Sequence, residues 1–337
     1  MNPYYQDDRA TVLHGDCLAL MAEMPDASFD AVVTDPPYGL GFMGKAWDDL
    51  PPGIEWATEC LRVLKPGGHL LAFGGSRTWH RLACAVEDAG FEIRDSIAWL
   101  FGSGLPKSKN LHGEWEGWGT ALKPGFEPIV MARKPLIGTT TANVSAYGTG
   151  ALHIDACRTI SSPDDQRGRW PSNVALDESQ REALDAQPGR AEGGGRGAVR
   201  RSGVASGYSG GWGPSVTEYA YDKTDARRSK FFPVFRFESR AKWSGRPSYV
   251  TSEGNTVTHP TVKPLALMQW LIRLVTPPGG HILEPFAGSG TTVEAALRER
   301  VRVTAIEREA DYLPLILHRI ERHEDEPPSL FDMEVPA

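Results

Sequence analysis

Cysteine is scarce and scattered in this 337-residue chain: Cys17, Cys60, Cys84 and Cys157 form no C-x-x-C pair and have no histidine cluster beside them. That spacing predicts reduced thiols, as in a cytoplasmic protein, rather than disulfides or a zinc site. The nine histidines show no metal-ligand spacing, so no metal is expected. The chain also lacks any run of eighteen apolar residues, and its first eleven residues are polar without an apolar leader core. Neither a membrane span nor secretion is therefore expected. Positive charge is in deficit as well, with 36 Lys+Arg against 43 Asp+Glu. Taken whole, that balance argues against a polyanion partner, but the deficit is uneven. Residues 133–250 hold 18 Lys+Arg against 12 Asp+Glu, whereas the remainder holds 18 against 31. An acidic body with a basic middle fits a protein that touches nucleic acid with one part only.

The chain is long enough for one large α/β domain with an insertion, or for two ordinary domains. In the first 132 residues, short apolar runs at 11–14, 31–34, 69–73, 93–100 and 128–132 read as strands. The segments 17–24, 54–64 and 78–89 carry apolar residues at helical spacing. The texture returns after His259 as helix 265–275, strand 281–284, helix 291–300, strand 301–306 and helix 310–322. Such alternation predicts a mostly parallel sheet with helices on both faces. Between these halves, ten of the 25 residues from Gly189 to Gly213 are glycine. That composition predicts a flexible loop, in which Arg190, Arg196, Arg200 and Arg201 can meet phosphates. The expected division is 1–135, 136–254, 255–323 and an acidic, disordered tail at 324–337.

Two short segments carry the chemistry. Phe286-Ala287-Gly288-Ser289-Gly290-Thr291-Thr292 lies between a strand and a helix, where glycines admit a ligand close to the backbone and the helix N-terminus offers N–H groups to an anion. A nucleotide-like cofactor is implied. No Gly-Lys-Ser/Thr follows, which disfavours a nucleoside triphosphate, and Val293 stands where a dinucleotide fingerprint has its third glycine. Glu307 ends the next strand and can accept from ribose hydroxyls, which leaves a ribose-bearing cofactor without pyrophosphate as the better fit. The second segment, Asp35-Pro36-Pro37-Tyr38, follows a buried strand. Its prolines fix the backbone and remove two donors, so the Asp35 carboxylate and a free carbonyl can accept both hydrogens of an –NH2 group. Tyr38 offers a ring for a base to stack on. An ordinary glycine turn and a proline-rich turn are the bland alternatives for the two segments taken singly.

Together the two segments resemble the paired signature of amino-methylating DNA methyltransferases of the DPPY type. Because the tetrapeptide comes first, the chain is similar to their circularly permuted β group. His14-Gly15-Asp16-Cys17, His259-Pro260-Thr261-Val262-Lys263-Pro264, and Glu307 with Tyr312 extend the match. Gly44-Lys45-Ala46-Trp47-Asp48 and Ala121-Leu122-Lys123-Pro124 resemble phage and prophage members. The resemblance spans about 1–135 and 255–322.

The resemblance implies a Rossmann-like α/β fold with a mostly parallel seven-stranded sheet and an inserted target-recognition region at 136–254. It implies S-adenosylmethionine as cofactor and N6 of adenine in double-stranded DNA as target, in a restriction-modification or phage setting. Asp35, Pro36, Pro37 and Tyr38 would be catalytic. Asp16 would hold the cofactor's adenine, Glu307 its ribose, and Gly288 and Gly290 its methionine portion, with Cys17, Thr261, Lys263, Glu284, Phe286 and Thr291 nearby. Glu284 departs from the family's usual aspartate. Lys107, Lys109, Arg196, Arg200 and Arg201 are the expected DNA contacts. A homodimer is compatible with the family; a metal or a membrane is not called for. Trp99 reads as core in preference to a base-stacking residue. N4 of cytosine poses the same –NH2 problem and stays open as a target, although Asp at position 35 favours adenine. An RNA or protein-amide substrate is disfavoured because Asn commonly replaces that aspartate. A DNA-binding protein on an inactive scaffold is disfavoured by the intact motifs.

Overall fold

The structure, a computed structural model, describes residues 2–41, 51–102, 104, 108–159, 168–186, 229–235, 247–251 and 253–325. Outside these residues lie the glycine-rich stretch 189–213, Lys107, Arg196, Arg200, Arg201, the 44–48 motif and the tail beyond 325. The first half comprises β1 (Tyr5–Gln6), β2 (Ala10–His14), α1 (Cys17–Ala22), β3 (Phe29–Thr34), α2 (Ile54–Val63), β4 (Leu64–Phe73), α3 (Trp79–Asp88), β5 (Glu92–Leu100) and β6 (Phe126–Arg133). The middle supplies α4 (Thr140–Tyr147), β7 (Val174–Asp177), α5 (Glu178–Asp185), β8 (Val234–Phe235) and β9 (Ser248–Val250). Then follow β10 (Thr256–Thr258), α6 (Leu265–Val275), β11 (His281–Glu284), α7 (Thr291–Arg298), β12 (Arg302–Glu307) and α8 (Leu313–Asp325).

Among the described residues the large sheet has ten strands, in the order β1-β2-β12-β11-β3-β4-β6-β5-β7-β8. The seven expected strands run from β2 to β5 in that order, and β1, β7 and β8 extend the edges. Pairing is parallel except at β1/β2 and on both sides of β6. The middle segment is thus joined to the core: β7 pairs with β5, and β8 with β7. Sequence periodicity could not show this, because four residues of β7 and two of β8 are too few to display alternation.

Every residue of β3 is buried, as expected of a parallel strand covered on both faces. Alternation sorts Ala31 and Val33 into one apolar core and Val32 into another, and a register shift between Phe29 and Ala31 turns Phe29 to the side of Val32. The first core is closed by α6, α7 and α8, through Leu267, Leu271, Val293, Leu297, Ile316 and Ile320. The second is closed by α1, α2 and α3, through Met21, Trp56, Cys60, Leu82 and Val86. The polar interruption, Asp30, is matched by Lys65 Nζ at 2.6 Å and by the His281 N–H at 2.7 Å, which ties β3 to β11.

The sheet reverses its winding between β11 and β3. From β11 the chain crosses through α7 to β12 on one side, and from β3 it crosses through α2 to β4 on the other. Ligands of open α/β sheets bind outside the strand C-termini at such a switch point. Asp35 follows β3 directly, and the glycine segment follows β11, so the two motifs read from the sequence meet there.

Candidate active site

A cavity of about 210 Å³ opens at this crevice, with Asp35–Tyr38 on one side and Glu284–Thr292 on the other. Asp35 is held by two partners. Lys263 Nζ lies 2.7 Å from Oδ2, and the Tyr38 hydroxyl donates to Oδ1 at 3.0 Å. Lys263 also donates to the Tyr38 oxygen at 3.0 Å and stands 3.4 Å from Glu127 Oε2. Its ammonium also rests 4.8 Å from the Phe73 ring centroid, so an aromatic ring supplies part of the stabilisation that water would give. Burial opposes the charge on Lys263, yet Asp35 and Glu127 together hold its pKa above the ordinary lysine range. The Thr78 hydroxyl donates to the Tyr38 carbonyl at 2.6 Å and pins the tetrapeptide's far end.

Glu284 bridges the motifs from beneath. Its Oε1 accepts from the Thr34 hydroxyl, at the end of β3, and from the Phe286 N–H at 3.0 Å. Burial pushes its carboxyl up to about 7, against the hydrogen bonds that favour the anion. Below the ordinary glutamate pKa of 4.5 both folded and unfolded states hold the proton, and nothing is lost. As pH rises to about 7 only the unfolded state ionises, so folding loses on the order of 3 kcal/mol by pH 8 through this group. Replacing Glu284 by Gln should therefore reduce the fall in melting temperature between pH 5 and pH 8. Thermal melts of both proteins across that range check it; an unchanged fall would contradict the assignment.

The opposite wall is a backbone cradle. Glu307, at the end of β12, accepts from the Gly288 N–H through Oε2 and from the Glu309 N–H through Oε1, each at 2.7 Å. Burial pushes this carboxyl up to about 7. Gly288 has φ +52°, and a Cβ there would lie 3.0 Å from His259 Nε2. Gly290, at φ +79°, caps α7 where a Cβ would meet the Ile316 Cα at 2.9 Å. Side chains are thus excluded from these two positions on conformational and steric grounds. Arg319, buried in α8, donates to the Ser289 carbonyl at 2.8 Å and pairs with the buried Glu294 of α7. This ion pair holds the loop against the helix that it opens. Asp16 caps α1, accepting from Leu18 N at 3.0 Å and Ala19 N at 3.2 Å, and stands at the pocket mouth with Cys17. Burial and the nearby Asp16 push the Cys17 thiol up to about 11, which removes it as a nucleophile at neutral pH.

Residues 29–318 match the family model described as N6_N4_Mtase, DNA methylase. The chain belongs to this DNA methylase family. The Type II methyltransferase M.HindIII of Haemophilus influenzae is 26% identical over 255 residues, covering 72% of this chain and 59% of that protein. The methylase therefore spans less than two thirds of that relative's length. The DNA adenine methyltransferase YhdJ of Escherichia coli is 24% identical over 326 residues, covering 94% and 84% respectively. Among solved structures, the cytosine-N4-specific PvuII DNA methyltransferase shares the fold, with a TM-score of 0.50 and 16% identity over 96% of this chain and 93% of that one.

The cavity of the methylase fits the cofactor that the resemblance implies. Six carboxylates, from Asp16, Asp35, Glu127, Glu284, Glu307 and Glu309, line it and suit a cationic sulfonium. The glycine cradle admits a ligand against backbone N–H groups, and Phe286 gives an apolar wall beside Trp56, 5.8 Å away between centroids. Of the expected cofactor residues, Asp16, Cys17, Lys263, Glu284, Phe286, Gly288, Thr291 and Glu307 line the pocket, while Gly290 lies behind it as the cap of α7. Lys263 is committed to Asp35 and Tyr38, on the tetrapeptide's side of the cavity. Lys109 is exposed on the loop joining β5 to β6. That loop also carries Trp115 and Trp118, edge to face with centroids 5.4 Å apart and both exposed. Trp99 is 1% exposed and belongs to the core, as its position in an apolar run indicates. The sequence reading missed Glu127 and Arg319. An acid heading an apolar strand and an arginine in an apolar helix face are weak signals, and nothing local says that they reach a loop far along the chain.

Proposed function

We propose that this methylase transfers the methyl group of S-adenosylmethionine to N6 of adenine in double-stranded DNA. The supporting observation is the Asp35 carboxylate, clamped by Lys263 and Tyr38 at the switch point across from the glycine cradle. The name of YhdJ as a DNA adenine methyltransferase supports adenine, as does Asp at position 35. The order of the motifs, with Asp35 ahead of Gly288, supports the circularly permuted β group of the DPPY type.

S-adenosylmethionine, when bound, supplies an electrophilic methyl on a sulfonium. Glu307 would accept from its ribose, Asp16 would hold its adenine, and the N-terminus of α7 would take its carboxylate. The target amine is a poor nucleophile because its lone pair is delocalised into the ring. Asp35 accepts one N–H and the Pro36 carbonyl the other, which localises the lone pair and stabilises the positive charge that develops on nitrogen. Tyr38, its hydroxyl held by Lys263 and Asp35, offers a ring face on which the base stacks. A paired base cannot reach this crevice, so the target is extruded from the duplex. Lys109 lies on a loop at the same sheet edge as Asp35 and meets the phosphates of the flanking strand.

Expression of the chain in a host without adenine methylation of its own tests the reading. Modification-sensitive sequencing of the host DNA should show N6-methyladenine at one short sequence context. Unmodified adenine throughout, with the protein present and folded, would contradict it.

A further inference from the structure

Lys263 poses an electrostatic problem for the reaction proposed above. Positive charge builds on the target nitrogen as the methyl arrives, and Asp35 is the group placed to stabilise it. Yet an ammonium stands 2.7 Å from Asp35 Oδ2, and a neutral Asp35–Lys263 pair attracts a developing cation less than a lone carboxylate does. Lys263 has a second acidic neighbour: Glu127 Oε2 lies 3.4 Å from the same Nζ, on the far strand β6, and lines the same cavity. The ammonium, with its side chain 9% exposed, is screened little by water. Two carboxylates around one ammonium leave the cluster with a net negative charge facing the cavity.

We infer that Glu127 is a positioning residue for methyl transfer, balancing the charge of Lys263 so that Asp35 meets the target nitrogen as an effective anion. The inference rests on the methyl-transfer reading and holds for either exocyclic amine, N6 of adenine or N4 of cytosine. As a stabilising device the trio is poor, because burying three ionised groups costs much of what their attraction returns. Burial indeed raises the pKa of Glu127, an effect that Lys263 partly offsets. Lys263 earns its place by fixing Asp35 together with Tyr38, and Glu127 removes the electrostatic penalty of that arrangement.

The test is single-turnover methyl transfer to DNA at saturating cofactor, with calorimetric cofactor binding alongside, for wild type, Glu127→Gln, Glu127→Asp, Lys263→Met and the Glu127→Gln/Lys263→Met double variant. Glu127→Gln should lower the rate about 10- to 100-fold, less than or comparable to the loss of one preorganised contact, with cofactor affinity nearly unchanged. Glu127→Asp should recover part of the rate. In the double variant the unbalanced ammonium is gone, so its rate should exceed that of Glu127→Gln alone. A wild-type rate in Glu127→Gln, independent multiplicative losses in the double variant, or a rate loss explained by weaker cofactor binding would each overturn the inference. If Glu127→Gln does not fold, the Glu127→Asp and double variants decide between the same outcomes. A wild-type protein that binds cofactor but methylates no DNA overturns the parent reading itself, an outcome distinct from an active wild type beside an equally active Glu127→Gln.

Discussion

Asp35→Ala should reduce the single-turnover methylation rate by about 10²–10³ while leaving cofactor affinity nearly unchanged. The magnitude is typical of losing one preorganised electrostatic contact to a charge that exists only in the transition state. The structure sharpens the expectation, because Asp35 holds both Lys263 Nζ and the Tyr38 hydroxyl. Its removal leaves an ammonium beside the reaction centre without its nearest counter-charge, which repels the developing cation and adds to the loss. Cofactor binding should be spared, because the proposed cofactor contacts of Glu307, the Gly288 loop and Asp16 lie on other elements. Rapid-quench methylation beside calorimetric cofactor titration separates the two effects. A variant with a near-normal rate would refute the role of Asp35.

Glu307→Ala should show the opposite balance, with cofactor affinity falling first. Two charge-assisted hydrogen bonds to ribose hydroxyls are each worth about 1.5–3 kcal/mol, and partial compensation by water leaves an expected loss on the order of 100-fold in Kd. The structure adds a second contribution. Glu307 also accepts from the Gly288 and Glu309 N–H groups, so the alanine variant loosens the cradle as well as losing the ribose contact. At saturating cofactor the rate should recover to within a few-fold of wild type. An affinity within twofold of wild type would contradict the assignment of this wall.

The parallel core was legible because its signals are local. Helix α6 and strand β11 fall at the residues that apolar spacing marks, and Asp35 and the glycine segment stand at strand ends that apolar runs define. Their meeting follows from the sheet order, which places β3 beside β11 although about 250 residues separate them in the chain. What the sequence hid is non-local. The antiparallel insertion of β6 between β4 and β5 is set by pairing, and no feature of residues 126–133 announces it. That insertion brings Glu127 beside Lys263. Lys263 lines the same cavity as the glycine cradle, and the fold directs its ammonium to Asp35. The clamp of Arg319 on Ser289 depends in the same way on how α8 packs over α7.

The measurement closest to the central claim is transfer of labelled methyl from S-adenosylmethionine into duplex DNA, followed by enzymatic digestion and separation of the nucleosides. The crevice geometry predicts label on an exocyclic base amine and Asp35 predicts that it is N6-methyladenine, strongly reduced when Asp35→Ala is used in place of wild type. Label confined to N4-methylcytosine would contradict the adenine assignment, and DNA that stays unlabelled with a folded, cofactor-binding protein would contradict the function itself.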